Sequence, residues 1–215
     1  AAVVLDADDF EIVVTQKGLM HLKVRIKGKK AHGAYPWLGV NAIDIAAKII
    51  TELKSEKINY KQNRYLRQPT LNVGTISGGD KVNVVSDWCE FELDFRFLPG
   101  TSEKQLLRKL KRTIRRHSHD FKIEIQGIQA PYYINPEHPL VAQLAQAMRR
   151  VKIRPRISGS EGATVITFFK TRNIPAVATG FGTEGCAHIA DEYAKISNLH
   201  KGAQVLIEFL KNYKF

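Results

Sequence analysis

Cys89-Glu90-Phe91-Glu92-Leu93-Asp94-Phe95-Arg96-Phe97 alternates apolar and charged side chains without a break. Successive strand side chains point to opposite faces, so this segment is a strand with one face in a core and one in water. Pro99-Gly100 ends it. Residues 19–27 repeat the pattern, with Leu22, Val24 and Ile26 against His21, Lys23, Arg25 and Lys27. Between these strands, Asn41 suits a helix N-cap and Asp44 its first turn. Ala42, Ala46, Ile49, Ile50 and Leu53 then share one helix face. Thr70 to Ser77 reads as a strand, closed by the turn Gly78-Gly79-Asp80. Beyond the quoted strand, Ser102 and Gln105 form a capping-box pattern, and Leu106, Leu107, Leu110 and Ile114 follow at helical spacing. Phe121, Ile123 and Ile125 alternate in a fourth strand. The order is β-α-β-β-α-β over about residues 19–128, a ferredoxin-like unit with both helices on one face of an antiparallel sheet.

After Pro131 the pattern changes. Pro139 suits the first position of a helix holding Leu140, Val141, Leu144, Ala145 and Met148. A helix is expected near 163–171, then an apolar strand through Thr179. A last amphipathic helix is expected to bury Leu199, Ala203, Leu206, Ile207 and Leu210. Helix, strand, loop and helix resemble part of an α/β layer. The chain has 215 residues, enough for one large domain or two small ones.

Forty-four per cent hydrophobic and 25% charged residues exclude a disordered chain. No apolar run approaches the roughly 20 residues of a membrane span, and Ala1 to Asp6 lacks the features of a signal peptide. Two cysteines make no disulfide framework, so a reducing cytoplasm is expected. The formal charge is +12. Lys104, Arg108, Lys109, Lys111, Arg112, Arg115 and Arg116 follow one another with no acid among them. That stripe could bind phosphates. No recognised nucleic-acid motif accompanies it, so it is read as the solvated face of a helix.

Several residues could carry chemistry. The loop Gly180 to Glu192 follows a strand, and its glycines allow close approach to a ligand. His188 within it could ligate a metal or move a proton; a solvated histidine bonded to Asp191 or Glu192 would look the same. Cys186 reads as a small buried thiol rather than a second donor. His32 lies in a glycine- and proline-marked loop, as a surface histidine would. Arg96 could clamp a carboxylate or pair with Glu90, Glu92 or Asp94. Asn83 could donate to a substrate oxygen or serve a turn. Ser160, in Ser158-Gly159-Ser160-Glu161-Gly162, is expected to open a helix, either capping it or framing an anion site.

Taken in order, the motifs resemble a family. Lys17-Gly18, Ala31-His32-Gly33-Ala34-Tyr35-Pro36 and Gly39-Val40-Asn41-Ala42-Ile43 look like the start of the lid domain of zinc-dependent amidohydrolases and exopeptidases. These are the relatives of acetylornithine deacetylase, succinyl-diaminopimelate desuccinylase and carboxypeptidase G. Gly78-Gly79, Val82-Asn83-Val84-Val85-Ser86-Asp87 and Asp94-Phe95-Arg96 resemble the end of the lid's central hairpin. Gly180-Phe181-Gly182, Ala187-His188 and Asp191-Glu192-Tyr193 resemble the closing motif of the catalytic domain. The resemblance implies an α/β protein: a ferredoxin-like lid plus the C-terminal part of an α/β zinc-peptidase catalytic domain. The implied segments are 1–16 (end of a catalytic-domain segment), 17–128 (lid and dimerisation domain) and 129–215 (C-terminal catalytic segment).

The resemblance also implies roles. Asp6 and His188 match metal ligands. His32 matches the lid histidine that reaches a partner subunit's site and steadies the oxyanion. Asn83 and Arg96 match residues that hold the scissile carbonyl and the substrate carboxylate, and Ser160 matches a hydroxyl near that carboxylate. Two zinc ions, with cobalt as the alternative, a homodimer through the lid, and an N-acyl amino acid or small peptide as substrate follow from it. The family's His-x-Asp pair, bridging Asp and Glu-Glu pair do not occur in these residues, so the chain alone is expected to be inactive. Ser86 stands where proline is frequent and Glu161 where Asp is usual. A non-catalytic dimerisation module and a basic nucleic-acid-binding protein are the alternatives.

Overall fold

The computed structural model of the chain describes residues 1–186 and 189–214. The chain folds as two units. One comprises Ala1–Lys17, Asn63–Arg67 and Ala130–Phe215; the other comprises Gly18–Gln62 and Gln68–Gln129.

The first unit opens with β1 (Ala2–Leu5) and β2 (Glu11–Gln16). The chain then builds the second unit from β3 (Gly18–Lys27), α1 (Ala42–Ser55), β4 (Thr70–Gly78), β5 (Trp88–Phe97), α2 (Glu103–Arg115) and β6 (Phe121–Gln129). Its sheet runs β4-β5-β3-β6, with every pair antiparallel, which is the ferredoxin-like arrangement. β3 and β5 pair over their full length, from Gly18 opposite Phe97 to Lys27 opposite Trp88. Their inward residues, among them Leu22, Val24, Ile26, Phe91 and Leu93, share one core with Ala46 and Ile49 of α1 and Leu110 and Ile114 of α2. The outer face is wet: Lys23 meets Glu92 at 3.0 Å and Arg25 meets Glu90 at 2.9 Å. Both helices start as their sequences require. The Asn41 side chain accepts from Ile43 N–H at 3.0 Å, and Ser102 Oγ accepts from Gln105 N–H at 3.4 Å.

The first unit is completed by β7 (Tyr132–Tyr133), α3 (Pro139–Arg150), β8 (Arg156–Ser160), α4 (Ile166–Lys170), β9 (Ala176–Thr179) and α5 (Ile196–Asn212). β1 lies parallel to β9, β2 lies parallel to β8, and β2 also pairs with β7 and β9. Ile12 and Val14, Leu140, Leu144 and Met148, Val177, and Val205 and Phe209 form its core.

Two expectations change here. Residues 158–160 end a strand, and the helix that follows is only Ile166–Lys170, begun without a side-chain cap. α5 buries Gly202, Val205 and Phe209, while Leu199 and Leu210 are exposed, Leu210 by 73%. The cause is Gly202: a Cβ there would lie 2.3 Å from the Phe181 ring, so the bare glycine face docks instead of the leucine face. β1, β2, β7 and β8 carry no sequence signal of the alternating kind. No helix among the described residues is long and apolar enough to cross a membrane.

Candidate functional site

In the second unit the loops after β3 and before β5 lock together. Gly33 N–H donates to Asn83 O at 2.8 Å, Val85 N–H donates to Ala31 O at 2.9 Å, and His32 bridges Val84. A Cβ on Gly33 would meet the Asn83 carbonyl at 2.9 Å, so only glycine lets the two strands approach. This places His32 and Asn83 together, both exposed. Ala34 N–H donates to His32 Nδ1 at 3.0 Å. A neutral imidazole that accepts at Nδ1 carries its proton on Nε2, so His32 presents an outward N–H donor. The His32 ring lies 5.8 Å from Tyr35, which lies 5.7 Å edge-on from Trp37. Trp37 is 74% exposed.

Arg96 sits at the other end of the same sheet. It lies opposite Leu19, eight residues along β5 from Trp88, or roughly 27 Å of strand. Its Nε and Nη2 donate to Asp94 Oδ1 and Oδ2 at 2.8 and 3.0 Å. His21 Nε2 lies 3.5 Å from the same Asp94. Of the ion pairs open to Arg96 in sequence, the fold therefore selects Asp94.

In the first unit, the chemistry gathers at the carboxyl ends of β1 and β9, where α/β sheets place ligands. Asp6 N–H donates to Thr179 O at 2.9 Å, and Phe10 N–H donates to Gly180 O at 2.9 Å. A Cβ on Gly180 would lie 1.5 Å from Ala7 O, so glycine is obligatory. A cleft of about 380 Å³ opens there, lined by Asp8, Gly182, Thr183, Cys186, Glu192 and Tyr193. The Asp8 carboxyl is held above the usual carboxylate range, first by burial and then by Glu184, Glu192, Asp6 and Asp9. The hydroxyls of Thr179 and Thr183 are buried and make no hydrogen bond among the described residues. Cys186 is a buried free thiol, as is Cys89. His188 lies outside the described residues. Among those described, no group of three or more His, Cys, Asp or Glu side chains is placed to hold a metal ion. Asp8 with the nearby Asp6, Asp9, Glu184 and Glu192 gathers carboxylates at this rim, a donor chemistry that suits a divalent cation.

Ser160 ends β8 opposite Gln16. Its carbonyl accepts from Lys17 N–H at 3.1 Å and its Oγ accepts from Gly162 N–H at 3.2 Å, so it closes a turn rather than capping a helix. Next to it is a pair that sequence reasoning missed. Lys17 is 1% exposed, and its Nζ lies 2.5 Å from Glu161 Oε2. Glu161 Oε1 also accepts from Arg67 N–H at 2.8 Å. The signal was a lone lysine within the otherwise uncharged run Ile12 to Met20.

The family model of the peptidase dimerisation domain (M20_dimer) matches residues 14–122. An uncharacterised metallohydrolase of Methanocaldococcus jannaschii is 27% identical over 93% of this chain and 53% of its own length. The acetylornithine deacetylase of Vibrio atlanticus is 28% identical over 93% of this chain and 54% of its own length. The chain thus spans about half the length of the curated relatives it matches. Among solved structures, aminopeptidase PepT from Bacillus cereus has the same fold, with a TM-score of 0.82, 24% identity, and coverage of 97% of this chain and 56% of that one.

Proposed function

This chain belongs to the M20 peptidase dimerisation-domain family, and we propose on that premise that it is the lid and C-terminal catalytic segment of a metal-dependent amide hydrolase. The substrate is an N-acyl amino acid or small peptide with a free carboxylate. Asp6 and His188 would hold part of a site for two zinc ions, or cobalt in their place. The chemistry that metal supplies when bound is activation of water and polarisation of the amide carbonyl. His32 donates from Nε2–H to the carbonyl oxygen, with Asn83 beside it. Arg96 and Ser160 hold the substrate carboxylate. The 215 residues contain neither a His-x-Asp nor a Glu-Glu pair, so they supply no general base and are inactive alone. Two buried free cysteines favour a reducing cytoplasm.

One observation carries the dimeric form of this reading. His32 and Asn83 stand at one end of the sheet, and Arg96 stands roughly 27 Å of strand away. A single lid cannot bring both to one small substrate. Two lids can, with His32 serving the partner's site and Arg96 its own. Subunit mixing of the full-length protein tests this. His32→Ala and Arg96→Ala homodimers should each be nearly inactive toward an N-acyl amino acid. Random mixing makes half the dimers mixed, each with one intact site, and should restore about a quarter of native activity. Failure of mixing to restore any activity rejects the shared site.

A further inference from the structure

The seven cations between Lys104 and Arg116 separate into two sets in the folded chain. Lys109 lies 3.4 Å from Glu56 and also donates to Lys57 O. Arg116 lies 2.6 Å from Glu52 and also meets Glu56, and the neighbouring His117 meets Glu52. These pairs tie α2 to α1 and use the acids α1 offers there. Lys104, Arg108, Lys111, Arg112 and Arg115 are exposed, and among the described residues none forms an ion pair.

At about 100° per residue these five fall within a sector of about 100°, in a row about 16 Å long. Lys104/Arg108, Arg108/Arg112 and Lys111/Arg115 are like charges four residues apart, which repel across one helix turn. Lys104 also stands in the first turn, where the helix dipole disfavours a cation. Ordinary solvated helix faces interleave the signs. The dipole favours only Arg112 and Arg115, in the last turn; the like-charge repulsion along the row has no ion pair to offset it, and such an arrangement marks a surface that something else neutralises.

We propose that the outer face of α2 docks on the phosphate backbone of duplex nucleic acid. A duplex offers one phosphate per roughly 1.7 Å of axis, so about ten lie along the length of the row. The straight, rigid row suits a straight, rigid polyanion. A bilayer fits less well, because the apolar side of α2, Leu106, Leu110 and Ile114, is buried and has nothing to insert. No aromatic side chain stands on the row to stack on bases. The missing sequence motif therefore excludes base readout, not backbone contact. Nothing in this docking depends on the hydrolase reading.

The test is fluorescence anisotropy of a labelled duplex of about 20 base pairs titrated with the 1–215 chain between about 25 and 200 mM salt. Phosphatidylserine-containing vesicles and a polyglutamate peptide are titrated in parallel. Duplex binding should weaken with salt, with a log–log slope of about −3 to −5. The variant Lys104→Gln/Arg108→Gln/Lys111→Gln/Arg112→Gln/Arg115→Gln should lose at least about tenfold at low salt, most of the slope vanishing. Arg149→Gln/Lys152→Gln/Arg154→Gln, which removes exposed cations elsewhere, should change affinity by less than about threefold. Single variants such as Arg108→Gln, each lowering the slope by about 0.9, decide the matter if the fivefold variant fails to fold. No duplex binding at the lowest salt overturns the proposal. So does equal loss in the stripe and control variants, or binding of vesicles or polyglutamate without the duplex.

Discussion

Replacing Glu161 by alanine should destabilise the first unit more than any surface substitution. Lys17 has 1% of its side chain exposed, so its ammonium has given up its water, and Glu161 Oε2 stands 2.5 Å from Nζ. Removing one member of a buried ion pair costs about 3–5 kcal/mol, because the other charge stays buried. The Glu161 side chain is itself 49% exposed, which screens the attraction and lowers that figure. Its second oxygen accepts from Arg67 N–H at 2.8 Å, a charge-assisted bond that the alanine also removes. The balance is a loss of about 2–3 kcal/mol. With an m-value of about 1–3 kcal/mol/M, the urea midpoint should fall by about 0.7–3 M. Lys17→Met should cost less, since it removes the buried charge and keeps the apolar volume. Added to Glu161→Ala, it should recover part of the loss. Urea unfolding of the three variants followed by circular dichroism gives the cycle. A Glu161→Ala midpoint within about 0.2 M of the parent refutes the reasoning, as does a double variant weaker than Glu161→Ala.

Three other substitutions have outcomes that the geometry sets. Tyr132 Oη accepts from Ala176 N–H at 2.9 Å in a buried setting, so Tyr132→Phe should cost about 1–3 kcal/mol in urea unfolding by orphaning that N–H. Gly180→Ala should cost about 3 kcal/mol or more, because its Cβ would sit 1.5 Å from Ala7 O, and it should unfold the Asp6 turn first by hydrogen exchange. Burial alone would raise the Glu56 carboxyl, but the Thr113 hydroxyl and the Lys109 and Arg116 charges outweigh it and hold it below its ordinary 4.5. A depressed carboxyl stabilises the folded chain above its unfolded value and loses that contribution as pH falls through the folded one. The second unit should therefore weaken in acid below about pH 4.5, and Glu56→Gln should flatten that slope in an acid titration of thermal stability.

The two units differ in how much of them the sequence displays, and the difference is physical. The sheet of the second unit has one dry face and one wet face, so Leu22-Lys23-Val24-Arg25 and Phe91-Glu92-Leu93-Asp94 write the strand period into the polarity. Asn41 and Ser102 mark both helix starts because free N–H groups there need acceptors. In the other unit the helix opened by Pro139 and the apolar strand through Thr179 are legible, as α3 and β9, but Ile12 and Val14 lie in β2, a buried strand whose apolar run looks the same in helix or strand. The Gly159-Ser160 end of β8 reads as the opening of a helix, yet Gly159 is in a strand, where a Cβ would lie 2.7 Å from Tyr65 O. The partners that settle it, Leu66 and Thr15, are far away in sequence. The Lys17–Glu161 pairing is hidden for the same reason: the lone lysine in an uncharged run flags Lys17, but nothing local names a partner that far along the chain.

The carboxylate-binding role proposed for Arg96 has to coexist with its contact to Asp94. The Asp94 fork occupies Nε and one Nη2 hydrogen, at 2.8 and 3.0 Å. A guanidinium has five donors, so the Nη1 group and the second Nη2 hydrogen still point away from Asp94. One Nη1 hydrogen and that Nη2 hydrogen form the outer edge that receives a second carboxylate bidentately. Asp94 then sets the plane in which that edge lies and leaves less side-chain entropy to lose on binding. On this geometry Asp94→Asn should raise KM for carboxylate-bearing substrates in the full-length enzyme while kcat changes little, because uniform binding is lost. Equal losses in kcat and kcat/KM would show instead that Asp94 acts in the transition state, and would remove the positioning role.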